Sequence, residues 1–197
     1  MADLTTIEDY KDFMGITSTK EDLKLTSLVT SASALVKSYC GRSFVDYVSS
    51  DKTEYITVED DIYSIALEEF PVISITSVEE RYSYSSDYVA LTTANNEYYL
   101  DTKTDSIVRT NGGYGYRNWP KGPGSVKVVY TAGYATMPQD LELAVFDIIT
   151  YYHKSEYRGY KMLAGAATNA PGSTSQYRNV SFPDHIKRVL DLYKNVT

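Results

Sequence analysis

The sequence predicts an α+β protein: a bundle of helices from the N-terminal and C-terminal parts of the chain, with an antiparallel β-sheet domain inserted between them. Three observations favour this class. Residues 1–43 and 135–197 carry apolar side chains at helical spacing, whereas residues 44–134 are rich in Val, Ile, Thr and Tyr. The third is "VVYTAGYATMPQDLELAV" (128–145), where a β-branched run stops and a helical pattern follows Pro138. The chain is thus expected to leave the bundle near residue 43 and to return near residue 135.

Two helices are predicted in the first segment. Each opens with a pair of residues at capping-box spacing and ends at a glycine: Thr5 with Glu8 and Gly15, then Ser18 with Glu21 and Gly41. Apolar side chains at i, i+3 and i+4 in the second and third helices form the candidate bundle core: Leu28, Leu35, Val36, Tyr39, Leu141, Val145, Ile148 and Ile149.

The middle segment is predicted to form a small antiparallel sheet or barrel. Its β-rich runs are "TEYITV", "YSIALEEFPVISITSVEERYSY", "NEYYLD", "SIVRT" and "SVKVVYTAGY". Turn signals separate them at Asn95-Asn96, Asn111-Gly112-Gly113 and residues 120–124. In "VISITSV" (72–78) the alternation is mixed, so only part of one face is apolar.

The third segment is predicted to hold a helix that starts at Pro138 and a last helix that starts at Pro183. Between them, residues 160–182 are rich in Ala, Gly, Ser and Thr. A loop of this composition cannot bury enough apolar surface to become ordered by itself. We expect this loop to be mobile in the free subunit and ordered against a partner. Its candidate partner-contact residues are Tyr160, Met162, Leu163, Tyr177, Arg178 and Phe182.

Composition excludes several function classes. With 26 acidic and 19 basic residues, the formal net charge is −7, so the chain does not bind phosphates by bulk charge. No apolar run approaches the roughly 20 residues that span a bilayer, and no membrane partner is expected. The single cysteine, Cys40, excludes an intrachain disulfide and is expected to be a buried small side chain. The 20 tyrosines have two interpretations, protein contact surfaces or half-buried strand positions.

A search for catalytic chemistry finds none that the sequence supports. His153 and His185 lie on separate predicted helices and have no second ligand at metal-binding spacing. "NGGYGY" (111–116) lacks the lysine and the following helix of a phosphate loop. The acidic turns at 59–61 and 68–69 are more typical of solvated surface than of a cation site. We therefore expect no catalytic residue, no cofactor and no metal.

Three stretches in order give the chain a family resemblance. They are "SASALVKSYCGRSF" (31–44), "LEEFPVISITSV" (67–78) and "VKVVYTAGYATMPQDLELAVFDIITYYHK" (126–154). With their spacing they resemble the head-to-tail connector family of tailed bacteriophages, also called head-completion or adaptor proteins. The resemblance covers most of residues 18–158; the tyrosine-rich stretch 82–119 matches no motif of the family.

The resemblance implies a helical bundle with a β insertion and a structural, non-catalytic role. It implies a homo-oligomeric ring, usually dodecameric, in the neck of a virion whose proteins are made in the bacterial host cytoplasm. The ring would bind the portal protein, extend the DNA channel without sequence-specific binding, and carry the stopper, head-closure or tail protein. DNA must slide through such a channel, so acids that are expected to cluster in turns at one end of the sheet are candidate channel-facing residues: Glu59, Asp60, Asp61, Glu68 and Glu69.

Two alternatives remain at the level of sequence. One is an oligomeric tail-side binding module, such as a tail terminator or a host-surface ligand, which would need tyrosine-rich contact surfaces as well. The other is a small hydrolase that uses the acidic turns.

Overall fold

The computed structural model describes residues 2–154 and 183–195, which fold into two compact units. The β unit is the continuous segment Ser43–Ala135. The helical unit combines Ala2–Arg42 with the described part of Thr136–Val196. Helices at both ends of the chain and antiparallel strands between them confirm the predicted α+β class.

The helical unit contains four helices among the described residues. They are α1 (Ile7–Met14), α2 (Asp22–Cys40), α3 (Gln139–His153) and α4 (Asp184–Leu192). α2 packs against α1, α3 and α4, and α3 packs against α4. The interior of the unit is therefore built from segments that lie far apart in the sequence.

For α1 and α2 the predicted ends are correct and the predicted capping pairs are not, whereas α3 and α4 start directly after Pro138 and Pro183 as predicted. α1 and α2 end at Gly15 (φ 66°) and Gly41 (φ 70°), in the left-handed conformation that glycine adopts at low cost. The N-cap of α1 is Thr6 rather than Thr5, because the hydroxyl of Thr6 accepts a hydrogen bond from the backbone N–H of Asp9 (3.1 Å). α2 begins after Glu21 without a side-chain cap.

The apolar stripe of α2 is rotated from the predicted one. Its buried residues follow i, i+4 and i+3 spacing: Leu25, Val29, Ala32, Val36 and Cys40. From the rest of the predicted core, Val36, Leu141, Val145, Ile148 and Ile149 are buried, and Leu28 and Tyr39 are half-buried. Leu35 is 36% exposed, so its assignment to the core is wrong.

The chain preceding α1 explains this rotation. The backbone N–H of Leu4 donates to Ser33 Oγ (2.9 Å), and Lys37 Nζ donates to the carbonyl of Ala2 (2.7 Å). These contacts bury Ser33 and Lys37. The N-terminal segment thus covers a flank of α2 that looks polar in the sequence, and Leu35 is left towards solvent.

The β unit consists of two antiparallel sheets. One has the strand order β1-β7-β3-β4 and the other β2-β6-β5. The bounds are β1 Lys52–Val58, β2 Ser64–Ala66, β3 Val72–Glu80, β4 Val89–Leu91, β5 Tyr98–Asp101, β6 Ser106–Arg109 and β7 Gly122–Ala132. The long run 63–84 is therefore two strands of different sheets, separated where Pro71 cannot donate to a strand ladder.

The core of the β unit is built around the long central strand β7. From Val126 onwards every second residue of β7 is buried: Val126, Val128, Tyr130 and Ala132. These pack with Trp119 and with residues of both sheets, including Val78 and Ile107. Register shifts between β3 and β7 at Val72/Ser74 and Ile75/Ser77 break the alternation along β3, which is why its sequence pattern was mixed.

The β unit closes on itself at Gly133. Its φ is 115°, and a Cβ there would lie 2.3 Å from the carbonyl oxygen of Phe44, so only glycine fits. The next residue, Tyr134, donates its backbone N–H to that same carbonyl (2.7 Å). The first and last residues of the unit are therefore adjacent, and the chain then reaches Pro138 and α3.

Candidate assembly surfaces

The first acidic turn, residues 59–61, joins β1 to β2 and is exposed. Lys121 Nζ lies 2.9 Å from Asp61 Oδ2. Among the described residues, Glu59 and Asp60 have no side-chain hydrogen bond or ion pair. The turn thus presents two uncompensated carboxylates to solvent.

The second acidic turn is chemically different. Glu68 is exposed but pairs with Lys52, with Nζ and Oε2 at 2.6 Å. Glu69 is 3% exposed, and its Oε1 accepts a hydrogen bond from the backbone N–H of Ser43 (2.7 Å). Because its side chain is buried inside the β unit, Glu69 cannot be one of the acids that face a DNA channel.

The two turns also lie apart. Glu68 contacts Lys52 at the start of β1, whereas Glu59 follows the end of β1. A seven-residue strand spans roughly 20 Å, so the expectation that all five acids cluster at one end of the sheet is wrong. The reason is that the length of β1 separates them.

Sequence reasoning missed a half-buried carboxylate, Glu54. Its Oε2 accepts hydrogen bonds from the hydroxyl of Tyr130 (2.6 Å) and from the backbone N–H of Glu68 (3.2 Å). Burial raises the pKa of Glu54 above its usual value, although the bond from Tyr130 opposes this. Burial also raises the pKa of Tyr130, together with its bond to Glu54. The alternation of side chains along β1 could have indicated that Glu54 lies on the less exposed face of the strand. The sequence of one strand does not reveal that Tyr130 is its hydrogen-bond partner.

Four exposed tyrosines form what we call the tyrosine surface: Tyr63, Tyr99, Tyr114 and Tyr116. The rings of Tyr63 and Tyr116 stack with centroids 4.8 Å apart. Partial burial, the charge of Tyr116 and a hydrogen bond with it raise the pKa of Tyr99. Tyr114, at the tip of the 111–116 turn, is 97% exposed. Tyr130 and Tyr10, by contrast, are fully buried, and Tyr98 on β5 is half-buried, as the strand interpretation expects. The contact role of the exposed tyrosines stays a prediction.

A buried ion pair joins the two sheets beneath this surface. Arg109 on β6 donates from Nε and Nη2 to the two carboxylate oxygens of Glu80 on β3, both at 3.0 Å. Arg109 Nη1 donates to the carbonyls of Glu97 (2.6 Å) and Thr110 (2.8 Å). Burial alone would raise the pKa of Glu80, but the hydrogen bonds from Arg109 and Tyr82 lower it below its usual value. Glu80 and Arg109 are the last residues of β3 and β6, and nothing in the sequence indicates that they pair.

The groups with potential catalytic chemistry are placed unfavourably for it. Cys40 is fully buried, and burial raises the pKa of its thiol to about 11. His153 pairs with Glu21 (2.6 Å), and the side chain of His185 is 71% exposed. Within residues 2–154 and 183–195, no cluster of three or more His, Cys, Asp or Glu side chains could hold a metal ion. In the same residues, no helix combines the length and apolarity needed to cross a membrane.

The loop 160–182 lies outside the described residues. So do all six candidate partner-contact residues: Tyr160, Met162, Leu163, Tyr177, Arg178 and Phe182.

Comparisons with known proteins agree along the whole chain. Residues 3–196 match the family model described as "Head completion protein". The "Head completion protein" of Escherichia phage T5 is 24% identical over 202 residues, covering 98% of this chain and 99% of that protein.

Solved structures share the fold. In the neck of an empty gene transfer agent particle, computed with C6 symmetry, one chain is 15% identical with a TM-score of 0.57, covering 100% of this chain and 95% of that one. In the neck of the native particle, computed with C12 symmetry, the identity is 16%, the TM-score 0.55 and the coverage the same. The match over residues 3–196 decides the family: this chain belongs to the head completion proteins.

Proposed function

We propose that this chain is a structural protein of the phage virion neck, where it forms a ring below the portal and carries the stopper or tail. The observation that supports this most is the family match across residues 3–196. The phage T5 relative bears the name head completion protein and matches over 99% of its length. A twelve-subunit ring is favoured because one chain of the native gene transfer agent neck shares this fold, and that neck was computed with C12 symmetry.

The role is non-enzymatic in this proposal. A ring subunit needs contact surfaces rather than a reactive site. Exposed tyrosines combine large contact area with few rotatable bonds, which suits the tyrosine surface to a protein partner. Cys40, the strongest nucleophile by residue type, is buried as an un-ionised thiol.

The first test is the location of the protein in a particle. Electron microscopy of virions that contain the chain should reveal density of its fold between portal and tail, repeated around the axis. Density at the distal end of the tail would contradict the proposal and favour a host-surface ligand, and density in the last ring of the tail itself, away from the portal, would favour a tail terminator.

We further propose that the first acidic turn faces the DNA channel. Glu59 and Asp60 are exposed and have no ion pair among the described residues, whereas Glu68 is paired with Lys52. Uncompensated carboxylates repel phosphates, so DNA passes without adhering.

The matched test changes charge alone. Particles with Glu59→Lys and Asp60→Lys should assemble normally but eject DNA more slowly at low ionic strength, where exposed charges are least screened. The control is Asp12→Lys with Asp87→Lys, an equal change of charge at exposed acids elsewhere. If particles with Glu59→Lys and Asp60→Lys eject DNA at the parental rate, the turn does not line the channel wall.

A further inference from the structure

The tyrosine surface is apolar beneath its exposed rings. Val108 on β6 lies directly opposite Tyr99 in the smaller sheet, so both side chains are on the same face, yet Val108 is only 4% exposed. Tyr116 stacks on Tyr63 and is hydrogen-bonded to Tyr99. The rings therefore form an ordered aromatic platform that a partner can contact.

A carboxylate borders this platform. Asp101 is two residues after Tyr99 on β5, so the two side chains lie on the same face of the strand. Asp101 accepts a hydrogen bond from the backbone N–H of Lys103 (3.0 Å), and within the described part of the chain no cation pairs with it. An aromatic platform beside such a carboxylate fits a side chain that is both planar and cationic, which is arginine.

Helix α4 presents such a side chain to solvent. Lys187 and Arg188 are the only consecutive basic residues in the sequence, and both are exposed. Neither forms an ion pair with another described residue. Leu192, one turn after Arg188, is 77% exposed, so a leucine and a guanidinium lie on the same side of the helix. Leu192 can pack on tyrosine rings while Arg188 reaches a carboxylate.

Charge is divided unequally along the chain. The β unit, residues 43–135, contains 14 acidic and 7 basic residues, an excess as large as the net charge of the whole chain, −7. A cyclic ring is built from heterologous contacts, in which two different surfaces of each copy meet. We propose that the tyrosine surface and Asp101 of one copy bind Arg188 and Leu192 on α4 of a second copy. The identity of the neighbour rests on the ring proposed above.

Another exposed leucine with basic neighbours is less suitable. Leu23, near the start of α2, is 91% exposed and lies between Lys20 and Lys24 in the sequence. An ammonium group does not stack on an aromatic ring as a planar guanidinium does. The charge of Lys24 also acts on neighbouring Glu21. This site instead supplies a matched control.

DNA is also a less suitable ligand for the basic pair on α4. Asp184 and Asp191 lie one turn before and one turn after it. Their carboxylates oppose a chain of phosphates more than they oppose one carboxylate that approaches Arg188 directly.

The contact can be tested by charge reversal in particles whose only copy of the chain is a variant. Asp101→Arg and Arg188→Glu should each lower the yield of tailed particles at least about tenfold, because each places like charges together. Lys24→Glu, the same change of charge beside the exposed Leu23, should keep the parental yield. Each purified variant should melt at the parental temperature, which separates lost assembly from misfolding.

Rescue identifies the neighbour. The double variant, Asp101→Arg with Arg188→Glu, should recover the yield because the ion pair is restored in reverse. The two single variants produced together should also recover it, since alternating copies in an even-numbered ring then meet opposite charges on both sides. Recovery in the double variant alone would place the contact within one chain and overturn the proposal.

Three further results would overturn it. They are the parental yield in both single variants, a loss that neither the double variant nor the mixture recovers, and a loss in Lys24→Glu that Asp101→Arg recovers. The second would assign these residues to the portal, a tail protein or DNA, and the third would place α2 on the tyrosine surface. Failure of the proposed function is distinguishable, because then the parental chain itself would be absent from the neck of the particle.

Discussion

Replacing Arg109 by Met leaves the carboxylate of Glu80 inside the β unit without its cation. Arg109 and Glu80 are 2% and 3% exposed, and two hydrogen bonds of 3.0 Å join them. Met has a similar length and fills the space, so the variant tests charge and hydrogen bonding rather than a cavity.

The expected cost is large. Removing one partner of a buried ion pair destabilises by about 3–5 kcal/mol, because the remaining charge is desolvated and unpaired. The carbonyls of Glu97 and Thr110 also lose a donor, although both lie nearer to water. We expect Arg109→Met to lower the free energy of unfolding of the β unit by about 4 kcal/mol at pH 7.

The pH dependence follows from the pKa of Glu80. In the parent this pKa is lowered from 4.5, so the pair contributes stability above about pH 4.5 that is lost as the pH falls through the lowered value. In Arg109→Met, burial raises the pKa of Glu80 instead, so the destabilisation is greatest at neutral pH and decreases as the carboxyl is protonated. The difference between parent and variant should therefore narrow as the pH falls from 7 towards 4.

The chain provides its own probe for this measurement. Trp119 is the single tryptophan, it is 2% exposed, and its ring lies 5.9 Å from the Arg109 guanidinium. Urea unfolding followed by its fluorescence reports on the β unit at each pH. The control, Arg109→Met with Glu80→Gln, should recover much of the loss because no buried charge remains. A loss below about 1 kcal/mol, or one that does not change with pH, would refute the role assigned to the pair.

Three further predictions follow from burial and backbone geometry. Ile148→Ala should destabilise the helical unit by about 2–5 kcal/mol and Leu35→Ala by less than about 1 kcal/mol, measured by circular dichroism at 222 nm during urea unfolding; equal losses would contradict the rotated stripe of α2. Gly133→Ala should destabilise the β unit by more than about 2 kcal/mol in the Trp119 assay, because its Cβ would overlap the carbonyl of Phe44; parental stability would mean that this backbone shifts freely. Cys40 should react with iodoacetamide at pH 8 only after unfolding, since its pKa is raised to about 11, and rapid labelling of the native chain, followed by mass spectrometry, would disprove its burial.

The sequence predicted the features that repeat along the chain. Helical spacing at both ends, β-branched runs between them and the glycines that end α1 and α2 all led to the correct class. The helix starts were less predictable, because Thr5 and Thr6 are equally good caps by type and tertiary contacts decide between them. Periodicity also could not reveal that residues 2–4 cover Ser33 and Lys37. The buried face of α2 was therefore predicted on the neighbouring side of the helix.

The candidate surfaces were harder to predict because they depend on pairing between distant residues. Glu68 and Glu69 look equivalent in sequence, yet one is exposed beside Lys52 and the other is buried against the start of the β unit. Glu80 and Arg109 belong to different sheets, and no local pattern links them. Turn composition did indicate the exposed tip that carries Tyr114.

The bond between Tyr134 and Phe44 has a consequence for the order of folding. During synthesis α2 is complete before the β unit exists, and its partner α3 is made only after it. In an unfolded chain, joining α2 to α3 closes a loop of about 90 residues, at an entropic cost of roughly 4 kcal/mol. Once the β unit has folded, the 2.7 Å hydrogen bond between its ends has closed that loop already. Early folding of the β unit therefore lowers the entropic cost of pairing α2 with α3, and we expect damage at Gly133 to delay that pairing.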